Sequence, residues 1–118
     1  LPSADTLRLY VTGMSMGGFG TWDILSRYPG RFAAAMPICG GAGESQACRL
    51  IDTPIRAFHG SADRLVKVSR SRNIVRAIRE CNGTMIEYTE FTGMGHLVWD
   101  KVYSDSANLE WLMSNTRK

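Results

Sequence analysis

Short apolar runs alternate along the chain with segments of helical periodicity. Runs typical of buried strands are found at residues 7–12, 33–38, 55–59 and 85–91. Apolar residues recur at helical spacing in the segments 17–27, 69–81 and, in shorter pieces, 97–115. Strands that alternate with helices in this way predict an α/β fold, with a parallel sheet of about four strands flanked by helices.

One glycine-rich turn directly follows the first predicted strand. Residues 13–17 read G-M-S-M-G, and a serine in a G-x-S-x-G turn between a strand and a helix has its hydroxyl raised at the carboxyl edge of the sheet. We expect that Gly13 and Gly17 have to be glycine, because a Cβ at either position would prevent strand and helix from passing each other. Because glycine-rich turns of this kind also bind phosphate groups, the motif by itself leaves both interpretations open.

A serine hydroxyl becomes a strong nucleophile only beside a base that a carboxylate orients. Asp63 follows the strand at 55–59, and His96 lies in a glycine-bearing loop after the strand at 85–91. Each of them, like Ser15, comes just past the carboxyl end of a predicted strand, where open α/β sheets place their sites. The order Ser15, Asp63, His96 is also the chain order of hydrolases built on this turn.

The alternatives to this trio are few. The chain has two histidines, and His59 precedes Asp63 at the end of a strand, so we expect it to hold the Asp63 turn by hydrogen bonds. Asp52 and Asp100 are the alternative acids. Asp52 precedes its strand and Asp100 lies beyond His96, so the sequence favours Asp63.

In its motifs the chain resembles the carboxyl-terminal half of an α/β-hydrolase. The closer likeness is to dienelactone hydrolases, feruloyl esterases and polyhydroxybutyrate depolymerases, together with peptidases of prolyl-oligopeptidase type. The segments that carry it read VTGMSMGGFGTW, PICGG and FHGSAD, followed by GH with Trp99. The resemblance implies a single domain over residues 1–118 with a reduced α/β-hydrolase sheet. It also implies hydrolysis of a small ester, less often an amide, through an acyl-enzyme on Ser15.

The resemblance also indicates which groups surround the reaction. Enzymes of this kind normally have several strands before the serine turn, and a loop in that part supplies one oxyanion donor. The backbone N–H of Met16 is the donor that carries over directly, and the run 40–43, GGAG, is an alternative source of a second. Trp99 is a candidate for substrate contact. The alternatives to an esterase are a serine peptidase and a non-catalytic half-domain that needs another chain.

Composition narrows the possible partners. The net charge of +3 comes largely from arginines in the segment 69–81. Because these arginines are expected on a solvated helix face, we do not expect the protein to bind nucleic acid. No apolar run approaches the ~20 residues of a membrane span, so we expect a soluble protein without membrane contact; the amino end, which has no visible leader, leaves the compartment open. No metal or other cofactor is expected, because the cysteines are widely spaced and the histidines are already assigned.

Two further expectations concern cysteines and assembly. Three cysteines do not predict a disulfide framework, and Cys39 is expected to be a small buried residue; a bridge from Cys39 to Cys48 is the alternative and would indicate export. The strand before Ser15 lacks the neighbours that the related fold provides. We therefore expect a homo-oligomer formed through that strand edge.

Overall fold

Four parallel strands form one sheet in the computed structural model, which describes residues 5–117. The strands are β1 (Tyr10–Met14), β2 (Ala34–Ile38), β3 (Ile55–Gly60) and β4 (Ile86–Phe91). The helices are α1 (Met16–Arg27), α2 (Ser69–Glu80), α3 (Trp99–Ser104) and α4 (Ser106–Ser114), with 3₁₀-helices at Thr6–Arg8 and Glu44–Leu50. The strands neighbour one another in chain order, β1-β2-β3-β4. The predicted α/β fold with a parallel four-stranded sheet is confirmed.

Alternate residues of each strand pack on opposite faces of the sheet. On one face Ala35 and Ala57 belong to a core with Trp22 of α1 and residues of α2. On the other face Met36 packs with Val102 of α3 and residues of α4. The connections up to β4 lie on one face, as right-handed crossovers between successive strands require, and the chain then returns across the other face. Because both faces are covered, β2 is buried at every residue.

Two aspartates set element boundaries that differ from the predicted ones. The Asp5 carboxylate accepts the N–H of Leu7 at 3.0 Å, and Thr6–Arg8 form a 3₁₀ turn. This local hydrogen bond competes with extended backbone, so β1 begins three residues later than the apolar pattern predicts. The Asp105 carboxylate accepts the N–H of Ala107 at 3.0 Å and starts α4, which divides the last helical segment in two.

A disulfide joins Cys48 to Cys81, with Cα atoms 5.4 Å apart. The alternative pairing of Cys39 with Cys48 is therefore wrong, and Cys39 is a buried free thiol, as expected of a small core residue. The bridge ties the second 3₁₀-helix to the carboxyl end of α2 and closes a loop that contains β3 and Asp63. In the loop-closure account, a loop of this length destabilises the unfolded chain by about 3–4 kcal/mol.

The helices are short and expose charge. The arginines of α2 lie on its exposed side, where Arg72 pairs with Glu90 at 2.6 Å and Arg76 pairs with Glu44 at 2.5 Å. This agrees with the predicted solvated helix face. None of the helices between residues 5 and 117 is long and apolar enough to span a membrane.

Candidate active site

Ser15 occupies a sharp turn between β1 and α1. Its backbone has φ 57° and ψ −116°, a conformation that residues with a Cβ rarely adopt. The Ser15 N–H donates to the carbonyl of Ile38 at 3.0 Å, which ties the turn to β2. The turn is so tight that a Cβ on Gly13 would lie 2.4 Å from the carbonyl oxygen of Gly17. These contacts hold the serine in its strained conformation, half-buried at the carboxyl end of β1.

The glycine requirement of the turn differs in part from the prediction. Gly13 must lack a Cβ, as expected, but a Cβ on Gly17 would meet nothing within 4 Å, so the prediction for Gly17 is wrong. The second tight position is Gly18, where a Cβ would lie 2.3 Å from the carbonyl oxygen of Ile38. That contact joins α1 to the neighbouring strand β2. It depends on how the helix packs against the sheet, which the G-x-S-x-G spacing does not encode.

Two hydrogen bonds join Ser15, His96 and Asp63 in a line. Nε2 of His96 lies 2.8 Å from Oγ of Ser15, and Nδ1 lies 2.6 Å from Oδ2 of Asp63. An ionised carboxylate only accepts hydrogen bonds, so Nδ1 carries the proton of a neutral ring and Nε2 is free to accept the serine proton. The structure thus brings together the three residues that the sequence predicts to converge, although 33 and 81 positions separate His96 from its partners.

The Asp63 carboxylate is buried and hydrogen-bonded at both oxygens. Its Oδ1 accepts the N–H groups of Leu65 and Val66, each at 2.8 Å, and its Oδ2 accepts from His96. Burial raises the pKa of a carboxyl group, but the hydrogen bonds from His96 and the two N–H groups outweigh it and hold the pKa of Asp63 below its usual value. Asp63 is therefore ionised at neutral pH and fixes the orientation of the His96 ring.

The alternative candidates lie in other surroundings. His59 is fully buried, and its ring nitrogens contact Ser71 and the Val66 carbonyl. Asp52 is exposed ahead of β3, at the opposite end of the strand from Asp63, and Asp100 is exposed in the first turn of α3. The carboxylate that reaches the His96 ring is that of Asp63.

Met16 is the first residue of α1, directly after Ser15. The first N–H groups of a helix have no acceptor within it, and the helix dipole adds partial positive charge at this end. The Met16 N–H is therefore suited to a developing negative charge beside Ser15. In the alternative donor run 40–43, a Cβ on Gly40 would lie 2.5 Å from the carbonyl carbon of Gly18, so this run packs tightly between β2 and α1. Its role as a donor stays a prediction.

Cys39 is a neighbour of the site that the sequence did not identify. Its backbone is left-handed, with φ 45°, and the atoms of Cys39, Asp63 and His96 that bind metals in other proteins lie within 4.8 Å of one another. The pKa of the Cys39 thiol is raised, chiefly by burial and also by the negative charge of Asp63. A hydrogen bond with the Ser15 backbone lowers this pKa but does not outweigh the other two effects. Because the thiol is protonated and Asp63 already binds His96, the cluster suits hydrogen bonding better than metal ligation.

Apolar side chains surround these polar groups. The His96 and Trp99 rings meet edge to face, with centroids 5.5 Å apart, which places the predicted Trp99 beside the site. Four large apolar side chains are exposed within two residues of Ser15, Asp63 or His96: Met14, Met16, Leu65 and Leu97. The sequence offered one signal for this set, which is its adjacency to the three site residues.

Solved structures share this arrangement of elements. A thermostable esterase matches 96% of this chain with a TM-score of 0.91 and 40% identity, over 32% of its own chain. Dipeptidyl peptidase 4 of Porphyromonas gingivalis matches 98% of this chain with a TM-score of 0.85 and 20% identity, over 20% of its own chain. An acylaminoacyl peptidase of Pyrococcus horikoshii matches 99% with a TM-score of 0.84 and 15% identity, over 25% of its own chain. The two peptidases are similar in fold alone.

One curated protein shares a shorter segment. Poly(3-hydroxyalkanoate) depolymerase C of Paucimonas lemoignei is 51% identical over 39 residues, which are 33% of this chain and 9% of that protein. No family model matches the chain. The chain thus spans about a third of the esterase and less than a tenth of the depolymerase.

Proposed function

Because the chain belongs to the α/β-hydrolase superfamily, we propose that Ser15, His96 and Asp63 form a catalytic triad that hydrolyses carboxylic esters. The observation that carries this proposal is the line of hydrogen bonds through His96, of 2.6 Å and 2.8 Å, which are distances suited to proton transfer. The 40% identity to an esterase favours an ester as the substrate.

The proposed reaction proceeds in two halves. His96 Nε2 takes the Ser15 proton as Oγ attacks the acyl carbon, and the Met16 N–H stabilises the oxyanion of the tetrahedral intermediate. The imidazolium, stabilised by Asp63, then donates its proton to the departing alcohol, and an acyl-enzyme remains on Ser15. In the second half His96 removes a proton from water as the water oxygen attacks the acyl carbon. The imidazolium then returns that proton to Oγ of Ser15 as the acyl–oxygen bond breaks, which releases the acid and the free serine.

Oxyanion stabilisation needs more than Met16 provides alone. Removing one donor from an acyl-transfer enzyme lowers turnover about 10²- to 10³-fold. Because the esterase match covers 32% of that protein's chain, we propose that a second donor comes from another segment or from a partner chain. On this proposal the described chain by itself hydrolyses esters slowly but measurably, and turnover rises when the second donor is present.

A serine peptidase is the second candidate, because the hydrogen-bonded line of Ser15, His96 and Asp63 suits attack on an amide as well as on an ester. Both reactions pass through an acyl-enzyme on Ser15, so they differ in the leaving group, which is an alcohol or an amine. Paired aryl ester and anilide substrates with the same acyl group measure the preference. A faster anilide reaction would replace the esterase proposal with a peptidase.

Labelling separates a working hydrolase from a non-catalytic half-domain. An aryl phosphonate is expected to modify Ser15 alone, as read by peptide mass spectrometry, and to abolish the burst of product from a reporter ester. The Ser15→Ala protein serves as the unlabelled control. A folded chain that takes up no label and releases no product would favour the half-domain instead.

A further inference from the structure

His59 is a buried histidine that the proposed mechanism does not use. Its side chain has no exposed surface, and it lies near the end of β3, four residues before Asp63. Nε2 of His59 is 3.4 Å from Oδ2 of Asp63, the same oxygen that accepts from His96. The Asp63 carboxylate therefore faces two imidazole rings.

Val66 connects His59 to the Asp63 carboxylate. The Val66 carbonyl lies 2.8 Å from Nε2 of His59, and the Val66 N–H donates to Oδ1 of Asp63 at 2.8 Å. A carbonyl oxygen only accepts hydrogen bonds, so Nε2 of His59 carries a proton. Movement of this ring would displace the residue that holds the carboxylate.

The other ring nitrogen decides the charge of His59. Nδ1 lies 2.7 Å from Oγ of Ser71, and that hydroxyl lies 3.0 Å from the carbonyl oxygen of Gly40. A hydroxyl has a single proton to donate. If Ser71 donates to Gly40, Nδ1 must donate to Ser71 and the ring is an imidazolium. If the ring is neutral, Ser71 donates to Nδ1 and no proton lies between Ser71 and Gly40. Only the imidazolium gives every contact a proton.

The charges around His59 favour the imidazolium. A buried charge is tolerated when an opposite charge and hydrogen bonds compensate it. Asp63 supplies the near negative charge, and Glu90 lies directly opposite His59 on β4. Glu90 is itself paired with Arg72 of α2, whose hydrogen bonds lower the pKa of Glu90 to about 2, so its charge persists in acid. Two carboxylates thus face His59 against the single guanidinium of Arg72.

We propose that His59 is a positioning residue, held as a buried imidazolium, that fixes the Asp63 carboxylate for His96. Its role depends on the triad proposed above, whereas its charge does not. The ring anchors the loop after β3 to Ser71 of α2 through Nδ1 and to Val66 through Nε2. The positive charge also offsets part of the negative field that Asp63 exerts on His96.

The charge is tested by NMR of the full chain labelled with ¹⁵N in its histidines. The chain has two histidines, so a His96→Ala sample assigns the remaining ring, which is then measured in the unmodified protein. We expect both ring nitrogens of His59 to be protonated at neutral pH. A neutral His59 ring would overturn the proposal, whether or not the protein hydrolyses esters.

The positioning role is tested with matched serine variants. Ser71→Ala removes the acceptor of Nδ1, whereas Ser26→Ala removes an equally buried hydroxyl that bonds within α1 to Trp22. We expect Ser71→Ala to lower kcat about tenfold or more with little change in KM, because displacement of a catalytic group slows the chemical step. Its half-maximal activity should also move to higher pH, because a neutral His59 no longer offsets the charge of Asp63. Ser26→Ala should change neither property.

A second variant covers the case in which Ser71→Ala does not fold. In His59→Gln the amide keeps a donor for the Val66 carbonyl but carries no charge. It should lower kcat, because it too loses the contact with Ser71, and show the same shift to higher pH. A folded variant of either kind with unchanged kcat and pH profile would overturn the positioning role. If the unmodified protein shows no ester hydrolysis at all, the proposed triad is rejected. The NMR result would still decide the charge of His59.

Discussion

Nε2 of His96 reaches Oγ of Ser15 at 2.8 Å although the two residues follow the outer strands of the sheet, β4 and β1. Strands lie about 4.8 Å apart, so the outer two are separated by roughly 14 Å. The loop after β4 therefore has to cross the carboxyl ends of the inner strands. It rests there on the loop after β3, where the Ala62 N–H donates to the Met94 carbonyl at 2.9 Å.

Gly60 permits that crossing because it has no Cβ. Comparing Gly60→Ala with Gly95→Ala should distinguish this steric requirement from a general effect of substituting a loop glycine. A Cβ on Gly60 would lie 2.4 Å from the carbonyl oxygens of Met94 and Gly95, whereas a Cβ on Gly95 would meet nothing within 4 Å. We expect Gly60→Ala to displace His96 and lower kcat about 10²-fold, and Gly95→Ala to have little effect. Ester hydrolysis and thermal unfolding of both variants measure this. Full activity of a folded Gly60→Ala protein would contradict it.

Ser15→Ala should abolish ester hydrolysis and leave the fold intact. The alanine keeps the Cβ of serine and the tight contact of the turn involves Gly13, so the structure has no reason to rearrange. Only the residual rate from binding and oxyanion stabilisation should remain. Turnover of an aryl ester and the melting temperature, compared with a control Ser104→Ala at an exposed site on α3, test this. Wild-type turnover in Ser15→Ala would reject the assignment.

The rate of ester hydrolysis should depend on the loss of one proton as the pH rises from acidic values. His96 must be neutral to accept the serine proton, so activity should rise with pH and level off once that single proton is lost. The pKa of Asp63 is lowered, so its charge is lost only as the pH falls below the usual range of carboxyl groups. We expect His96→Ala to remove nearly all activity and Asp63→Asn most of it. An active His96→Ala protein would exclude His96 as the base.

The sequence predicted the three site residues because each follows a recognisable apolar strand. Parallel strands bring their carboxyl ends to one edge, so Ser15, Asp63 and His96 needed no knowledge of packing to be placed together. The tight contact of Gly18 with Ile38 depends on the approach of a helix to a neighbouring strand. Such distances between elements are not encoded in the spacing of residues within a motif.

The disulfide was missed for the same reason. Cys48 lies in a 3₁₀-helix and Cys81 follows α2, and they meet because both elements cover the same face of the sheet. Their separation of 33 residues gave no sign of this contact. Cys39 is nearer to Cys48 in sequence, but it directly follows β2 and is buried against the opposite face.

Reduction of the Cys48–Cys81 bridge should destabilise the chain without touching the site directly. Opening the loop restores conformational freedom to the unfolded chain, which we expect to lower the free energy of unfolding by about 3–4 kcal/mol. Denaturant unfolding with and without a reductant measures the difference. A Cys48→Ser/Cys81→Ser double variant should match the reduced protein and respond no further to reductant. Equal stability of oxidised and reduced protein would argue against the bridge.

The last prediction is that copies of the chain associate through β1. In residues 5–117 β1 pairs with β2 on one side only, and its residues are all at least partly exposed, in contrast to the buried β2. The other outer strand, β4, carries Glu87 and Glu90, and charged residues protect a sheet edge from pairing. The sequence of β1, YVTGM, has no charge. An edge of this kind presents unpaired N–H and C=O groups to a second chain.

Light scattering after size exclusion across a dilution series should therefore show a dimer or higher oligomer that dissociates on dilution. Thr12 of β1 and Thr89 of β4 are both exposed threonines on outer strands, so Thr12→Lys is compared with Thr89→Lys. Because the Thr12 hydroxyl also contacts the Met36 carbonyl and Tyr103, Thr12→Val is the control for the loss of those contacts. A lysine on β1 should weaken association because like charges then meet across the interface, whereas a lysine on β4 should not. A folded protein that stays monomeric at the highest concentration of the series, or equal effects of the two lysines, would show that β1 is not the interface.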